Sequence, residues 1–173
     1  MWRRSLVVLL SALVLAAGVA TGCAGPEDLP SFTRLGIPER EHGYGTFDSV
    51  TIGSPQELEE FLESSRGIGW NAWTEFEDAL RDANVDFERE VLVLLRHTEP
   101  SGSNGVALSS AAVTGRTLLV PLTVSRAEIG PADMAYYCFA FVVSRADIDQ
   151  VTLQPSLASG TEQLPSQTLK VQR

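Results

Sequence analysis

The chain has 173 residues, 22 of them acidic and 13 basic, for a formal net charge of −9 at neutral pH. A surface of that sign repels phosphate backbones and anionic headgroups, so nucleic acid is excluded as a partner class. The two cysteines are too few for a disulfide framework, and the first of them is claimed by the N-terminal segment.

Arg3 and Arg4 make a positive start, residues 6–19 an apolar run too short for a comfortable membrane span, and Ala20-Thr21-Gly22-Cys23 a run of small residues ending in cysteine. The pattern resembles a bacterial lipobox, with Ala20 where leucine is usual. The resemblance implies a lipoprotein signal peptide over residues 1–22, with Cys23 as the lipid attachment site and mature N-terminus. Two or more acyl chains anchor stably, because each buried methylene contributes about 0.8 kcal/mol. The expected location is the cell envelope, exported and lipid-anchored, and if the cell is Gram-negative, Ala24 after the cysteine favours its outer membrane. The alternative is an ordinary secretory signal with Cys23 incidental. Without Arg3 and Arg4 the charge is −11, two units more negative than that of the whole chain. About 150 residues then remain, enough for one domain.

Residues 23–42 contain Gly25, Pro26, Pro30, Gly36 and Pro38 and read as a flexible tether. The globular domain is expected over 43–154. Residues 44–52 alternate loosely and suggest a first strand. Ser54, Pro55 and Glu57 then form a strong helix start: an N-cap, a proline in the first helical position and the acid of a capping box. Leu58, Phe61 and Leu62 mark one apolar face, and the helix should stop near 65–67. A second helix is expected from about Asn71, with Trp73, Phe76, Ala79, Leu80 and Ala83 at helical spacing. Glu75, Glu77 and Asp78 form its wet side. Paired carboxylates can act as general acid and base, but on the polar sides of amphipathic helices they read as a solvated face. Trp70 is either core or a flat platform for a sugar or peptide.

The chain is organised around residues 85–95. Val91, Leu92, Val93, Leu94 and Leu95 leave no polar face, which predicts a strand covered on both sides, over about 88–97, with His97 a polar residue at its end. Glu99, Pro100, Ser101, Gly102, Ser103, Asn104 and Gly105 follow as a loop longer than most hairpin connections. That loop is the candidate partner-binding surface, together with the connection 126–133, since recognition is commonly placed on loops of a rigid sheet. Its composition equally describes a neutral linker. A strand over 106–113, a turn at Thr114-Gly115 and a strand over 117–124 come next, with Leu118, Val120, Leu122 and Val124 on one face. Pro121 lacks an N–H, so this strand is expected at an edge or at a bulge. Residues 134–143 form a long apolar strand holding Cys138. A small buried hydrophobe is the expected role of that cysteine; an intermolecular disulfide or a nucleophile is the other. A short strand over 151–153 precedes a weakly ordered tail, 155–173, in which Leu169 and Val171 could add a last strand. The order predicts an α+β single domain, a mainly antiparallel β-sheet with two helices packed on one face.

Residues 52–153 resemble the bacterial domain named after the C-terminal part of a protease stability complex protein. The residues that carry the likeness are Ser54-Pro-Gln-Glu-Leu58, then Val85-Asp-Phe-Glu-Arg-Glu-Val-Leu-Val93, then Glu99-Pro-Ser-Gly102, then the paired strands 113–124 and 134–143. The family loop usually reads Pro-Thr-Gly-Gly-Tyr; this chain has Pro100-Ser-Gly-Ser-Asn-Gly105, so no role of that tyrosine carries over. The resemblance implies a non-catalytic envelope domain that contacts or stabilises a protease.

The sequence contains no Gly-x-Ser-x-Gly elbow, Ser-x-x-Lys pair, Walker loop, complete Gly-x-Gly-x-x-Gly or His-Glu-x-x-His. His42 and His97, even with Glu41 or Glu99, are too scattered for a zinc signature. No catalytic residue, cofactor or metal ligand is assigned. The expected function is a lipid-anchored protein–protein interaction or protease-stabilising module, touching the membrane through its lipid and a protease-like envelope partner through its loop. The alternative is a small-ligand binder or an enzyme with a dispersed site, which a pocket of convergent polar groups would mark.

Overall fold

The computed structural model describes residues 31–67, 69–130, 132–160 and 164–172. The signal segment, Cys23 and the tether up to residue 30 lie outside the described residues.

A strand with no polar face is stable only where both faces are covered. β3 (Glu90–Glu99) has that place. It pairs antiparallel with β7 (Ala135–Ser144) along its full length and with β2 (Val50–Ile52) on its other side. β1 (Phe32–Leu35) adds to β7, giving a sheet in the order β1-β7-β3-β2. A second sheet is built on β6 (Thr117–Ser125). β4 (Gly105–Leu108) and β5 (Ala112–Thr114) lie along one side of it, and β8 (Gln150–Leu157) then β9 (Gln167–Lys170) on the other. β6 and β8 run parallel; every other pairing is antiparallel.

Strand alternation assigns the two faces of the first sheet. Leu92, Leu94, Cys138, Ala140 and Val142 face two helices, α1 (Pro55–Ser65) and α2 (Trp73–Asp82), which bury Leu58, Leu62, Phe76 and Leu80 against them. Val91, Val93, Leu95, Phe139, Phe141 and Val143 face the second sheet and meet Leu118, Val120, Leu122, Val151 and Leu153. The result is an α+β single domain of three layers: helices, sheet, sheet. Val91 to Leu95 are all 0 % exposed, each side chain contributing roughly 1.5–3 kcal/mol by burial.

The expected helix start is present. Ser54 Oγ accepts from Glu57 N–H at 3.1 Å, and Glu57 Oε2 accepts from Gly53 N–H at 2.7 Å, one residue ahead of the cap. The acids of the helices are a solvated face tied by ion pairs: Arg81 bridges Glu59 of α1 to Glu77 of α2, and Arg66 also reaches Glu77. Desolvation pushes the Glu77 carboxyl up, but hydrogen bonds from Arg81, Arg66 and the Trp73 indole outweigh it and hold the group below the usual range.

The structure departs from the sequence expectation at several points. Two sheets stand where one was expected. Residues 32–42 do not act as tether: β1 pairs with β7, Ile37 is core, and Glu41 N–H bonds Tyr136 O. The first strand expected over 44–52 is a 3-10 turn, His42–Thr46, followed by the short β2. The strand expected over 106–113 is broken into β4 and β5. β8 runs on through Pro155 to Leu157, into the expected tail, and β9 is the last strand that Leu169 suggested.

Pro121 lies in a central strand, not at an edge, and opposite a bulge, since residues 109–111 face only 120–121. Its carbonyl accepts from Ser109 N–H at 3.0 Å, and the N and O of one strand residue point the same way. Its missing N–H therefore faces residues 109–111, where β4 has ended and β5 has not begun. Pro155 repeats the device: its carbonyl accepts from Leu164 N–H at 3.0 Å, beyond the start of β9 pairing at Gln167.

Candidate functional site

The inward-facing positions of the sandwich turn polar at one end. Along β3 the series Val91, Val93, Leu95 continues as His97 and Glu99; along β7, Phe141 and Phe139 continue as Tyr137; beyond β6, Leu122 and Val124 continue as Arg126. These groups meet between the sheets where the apolar core stops. Glu99 is 1 % exposed and His97 8 %. A buried carboxylate needs partners, and Glu99 has three: His97 Nε2 at 2.8 Å from Oε1, Asn104 Nδ2 at 2.7 Å from Oε2, and Arg126 Nε at 3.8 Å.

Asn104 is the keystone, with all four of its polar groups held. Its N–H donates to Ser101 O at 3.1 Å, and its carbonyl accepts from the Tyr137 hydroxyl at 2.8 Å. Its Oδ1 accepts from Ala127 N–H at 3.1 Å, and its Nδ2 donates to Glu99. One residue thus joins β3 and the segment after β6 through its side chain, and β7 and its own loop through its backbone.

The rest of the candidate loop is pinned from outside. Arg40 Nη1 donates to Gly102 O at 2.9 Å while its guanidinium lies 5.9 Å from the Tyr137 ring centre. Gly102 N–H donates to Asp133 Oδ1 at 3.0 Å. A Cβ at Gly102 would stand 2.5 Å from Asp133 Oδ2, so a side chain there would push the Asp133 carboxylate aside. Ser103 N–H donates to Ser101 Oγ at 3.3 Å.

Glu99 closes β3 and Gly105 opens β4, so the loop proper is 100–104. It crosses from one sheet to the other and is not a hairpin. The connection after β6 lies beside it and carries Ile129, 93 % exposed, with Met134 at 45 % just beyond. Sequence reasoning missed His97, Tyr137 and Arg126 as members of this cluster. The available signal was polar residues on inward-facing positions of otherwise apolar strands.

Other candidate positions resolve to packing. Trp70 stacks on Phe76 (centroids 4.9 Å, 27°), donates from Nε1 to Ser65 O at 2.9 Å, and covers Gly43 so closely that a Cβ there would fall 2.1 Å from the ring. It is not an open platform. Cys138, on β7, is fully buried on the helix-facing side of the first sheet, and burial pushes its thiol well above the ordinary range, against a backbone hydrogen bond at Phe139 and the charge of Arg96. A thiol so placed is inert in the folded protein. Among the described residues no group of three or more His, Cys, Asp and Glu could hold a metal ion.

Surface clefts among the described residues flank the fold, one of them of about 230 Å³ and lined by Arg34, Leu35, Ile37 and Glu39 beside Cys138. Another of about 180 Å³ is lined by Arg40, Glu41 and His42, and its Glu41 already accepts from both nitrogens of Asn71. A wider groove of about 460 Å³ runs between β2 and α1, where Glu57 is committed to the helix cap.

Comparison of the chain with protein-family models, with curated proteins and with solved structures finds no match.

Proposed function

We propose that the protein is a lipid-anchored, non-catalytic envelope module that holds a protein partner with the end of the sandwich formed by loop 100–104 and residues 126–130. The observation that carries this reading is the Asn104 keystone. A loop of flexible composition is held at Asn104 by a buried network and at Gly102 from outside, which lowers the ordering cost of binding, and the exposed Ile129 stands beside it.

Topology adds a direction. Ser31 O accepts from Ser144 N–H, so the chain from Cys23 enters the fold where β7 ends. The loops lie where β7 begins, and the ten residues of β7 span about 31 Å. The eight peptide steps from Cys23 to Ser31 reach at most about 28 Å. A domain standing on that tether presents its loops away from the bilayer, toward a partner in the aqueous compartment. The resemblance of residues 52–153 to a protease stability complex domain supports a protease as that partner.

The test is capture from membranes with the lipid intact. Ile129→Glu changes a side chain already in water, so the melting temperature should stay within about a degree while the partner is lost. Equal capture by Ile129→Glu and wild type would remove this surface from consideration.

A further inference from the structure

Asn104 is followed by Gly105, the one Asn–Gly pair in the chain. Such a pair has a reaction of its own. The glycine peptide nitrogen, unhindered by a side chain on its own residue, attacks the asparagine Cγ. The N–Cγ bond forms, the Cγ–Nδ2 bond breaks and ammonia leaves. The cyclic imide then takes up one water and opens to aspartate or isoaspartate. No oxidant, metal or second protein enters the balance.

The fold opposes this reaction. Cyclisation requires Cγ to swing onto the Gly105 nitrogen and Nδ2 to depart. In the structure Nδ2 is bound to Glu99 and Oδ1 to Ala127 N–H, while the backbone on either side is fixed through Ser101 O and the Tyr137 hydroxyl. The loop must come away from both sheets before the ring can close. Once it has closed, the loop cannot return as it was. An aspartate here sets a second carboxylate at 2.7 Å from Glu99 Oε2, in place of a donor, and like charges at that distance repel strongly in a buried site. Glu99, 1 % exposed, also loses one of its hydrogen bonds.

We propose that Asn104–Gly105 is a modification site that loop opening alone exposes, and that its conversion to the acid releases loop 100–104 irreversibly. The inference rests on the geometry of the loop and not on any partner.

The experiment uses the full chain in detergent, aged in mildly alkaline buffer and digested for mass spectrometry of the peptide containing Asn104. Conversion in the native protein should be slower than in urea by roughly tenfold or more, because only locally opened molecules react. Tyr137→Phe, which frees the Asn104 carbonyl, should fall between the two. In parallel, Asn104→Asp should lose hydrogen-exchange protection at Ala127 while β3 and β7 keep theirs. Equal rates in buffer and in urea, or wild-type protection at Ala127 in Asn104→Asp, would overturn the proposal. Should Asn104→Asp fail to fold, the native rate and the Tyr137→Phe rate decide the matter alone.

Discussion

Glu99 and Asn104 close the loop between them with one hydrogen bond, 2.7 Å from Oε2 to Nδ2, buried at both ends. Removing the carboxylate takes away the partner of the His97 Nε2, the acceptor of the Asn104 Nδ2 and the counter-charge of Arg126. Glu99→Ala is therefore expected to cost about 3 kcal/mol in a urea melt, the range for breaking a buried polar pair from one side. Asn104→Ala should cost about 1–3 kcal/mol. Losses below about 0.5 kcal/mol for both would mean that the loop is held by its outer contacts alone.

The two-sided burial of β3 makes a second prediction. Leu94 is 0 % exposed and lies on the helix side of the sheet. Leu94→Ala should cost roughly 2–5 kcal/mol, transfer and cavity together. The cost is read from the denaturant midpoint at unchanged slope. A loss under about 1 kcal/mol would show that the helices settle into the gap.

Gly43 lies directly beneath Trp70. Gly43→Ala would place a methyl 2.1 Å from the ring, so the indole must leave Phe76 and give up its bond to Ser65 O. The expected result is a red shift of tryptophan emission with a loss of about 1–3 kcal/mol, the usual penalty of overpacking. Wild-type emission from Gly43→Ala would refute the contact.

The anchor should depend on one thiol. Cys23→Ser is expected to appear either as uncleaved precursor or as soluble protein, since a serine hydroxyl cannot receive the diacylglycerol through sulfur. A band of mature size that stays with the membranes would show that Cys23 is not the lipid site.

Local chemistry made part of this fold readable. The Ser54-Pro55-Glu57 start of α1, the unbroken apolar run of β3 and the alternation of Leu118, Val120, Leu122 and Val124 each encode their element within one turn or a few strand residues. β1 was hidden because its burial is partial at Phe32 and Leu35 and its middle residues, Thr33 and Arg34, are exposed. Pro121 was half legible: β6 is not an edge, because a strand's place in a sheet depends on its neighbours, but the β4–β5 segment opposite Pro121 carries one extra residue, the bulge that the missing N–H implied. The candidate loop was legible as a loop and illegible as a lock. Glu99, Asn104, Ala127 and Tyr137 come from separate segments, and Gly/Ser composition looks the same whether such a loop is pinned or loose.

The parallel pairing of β6 with β8 governs how the domain can assemble. A parallel pair cannot be joined by a tight turn, and here the link between the two strands is β7, which lies in the other sheet. The second sheet cannot zip up by itself, because β8 reaches β6 only after the chain has crossed to the first sheet and returned. The entropy of closing these distant segments is lost before their contacts form, which places the domain among slow folders. Neither sheet is an autonomous half that could persist while the other melts, so proteolytic nicking within β7 should cost the whole domain its structure at once.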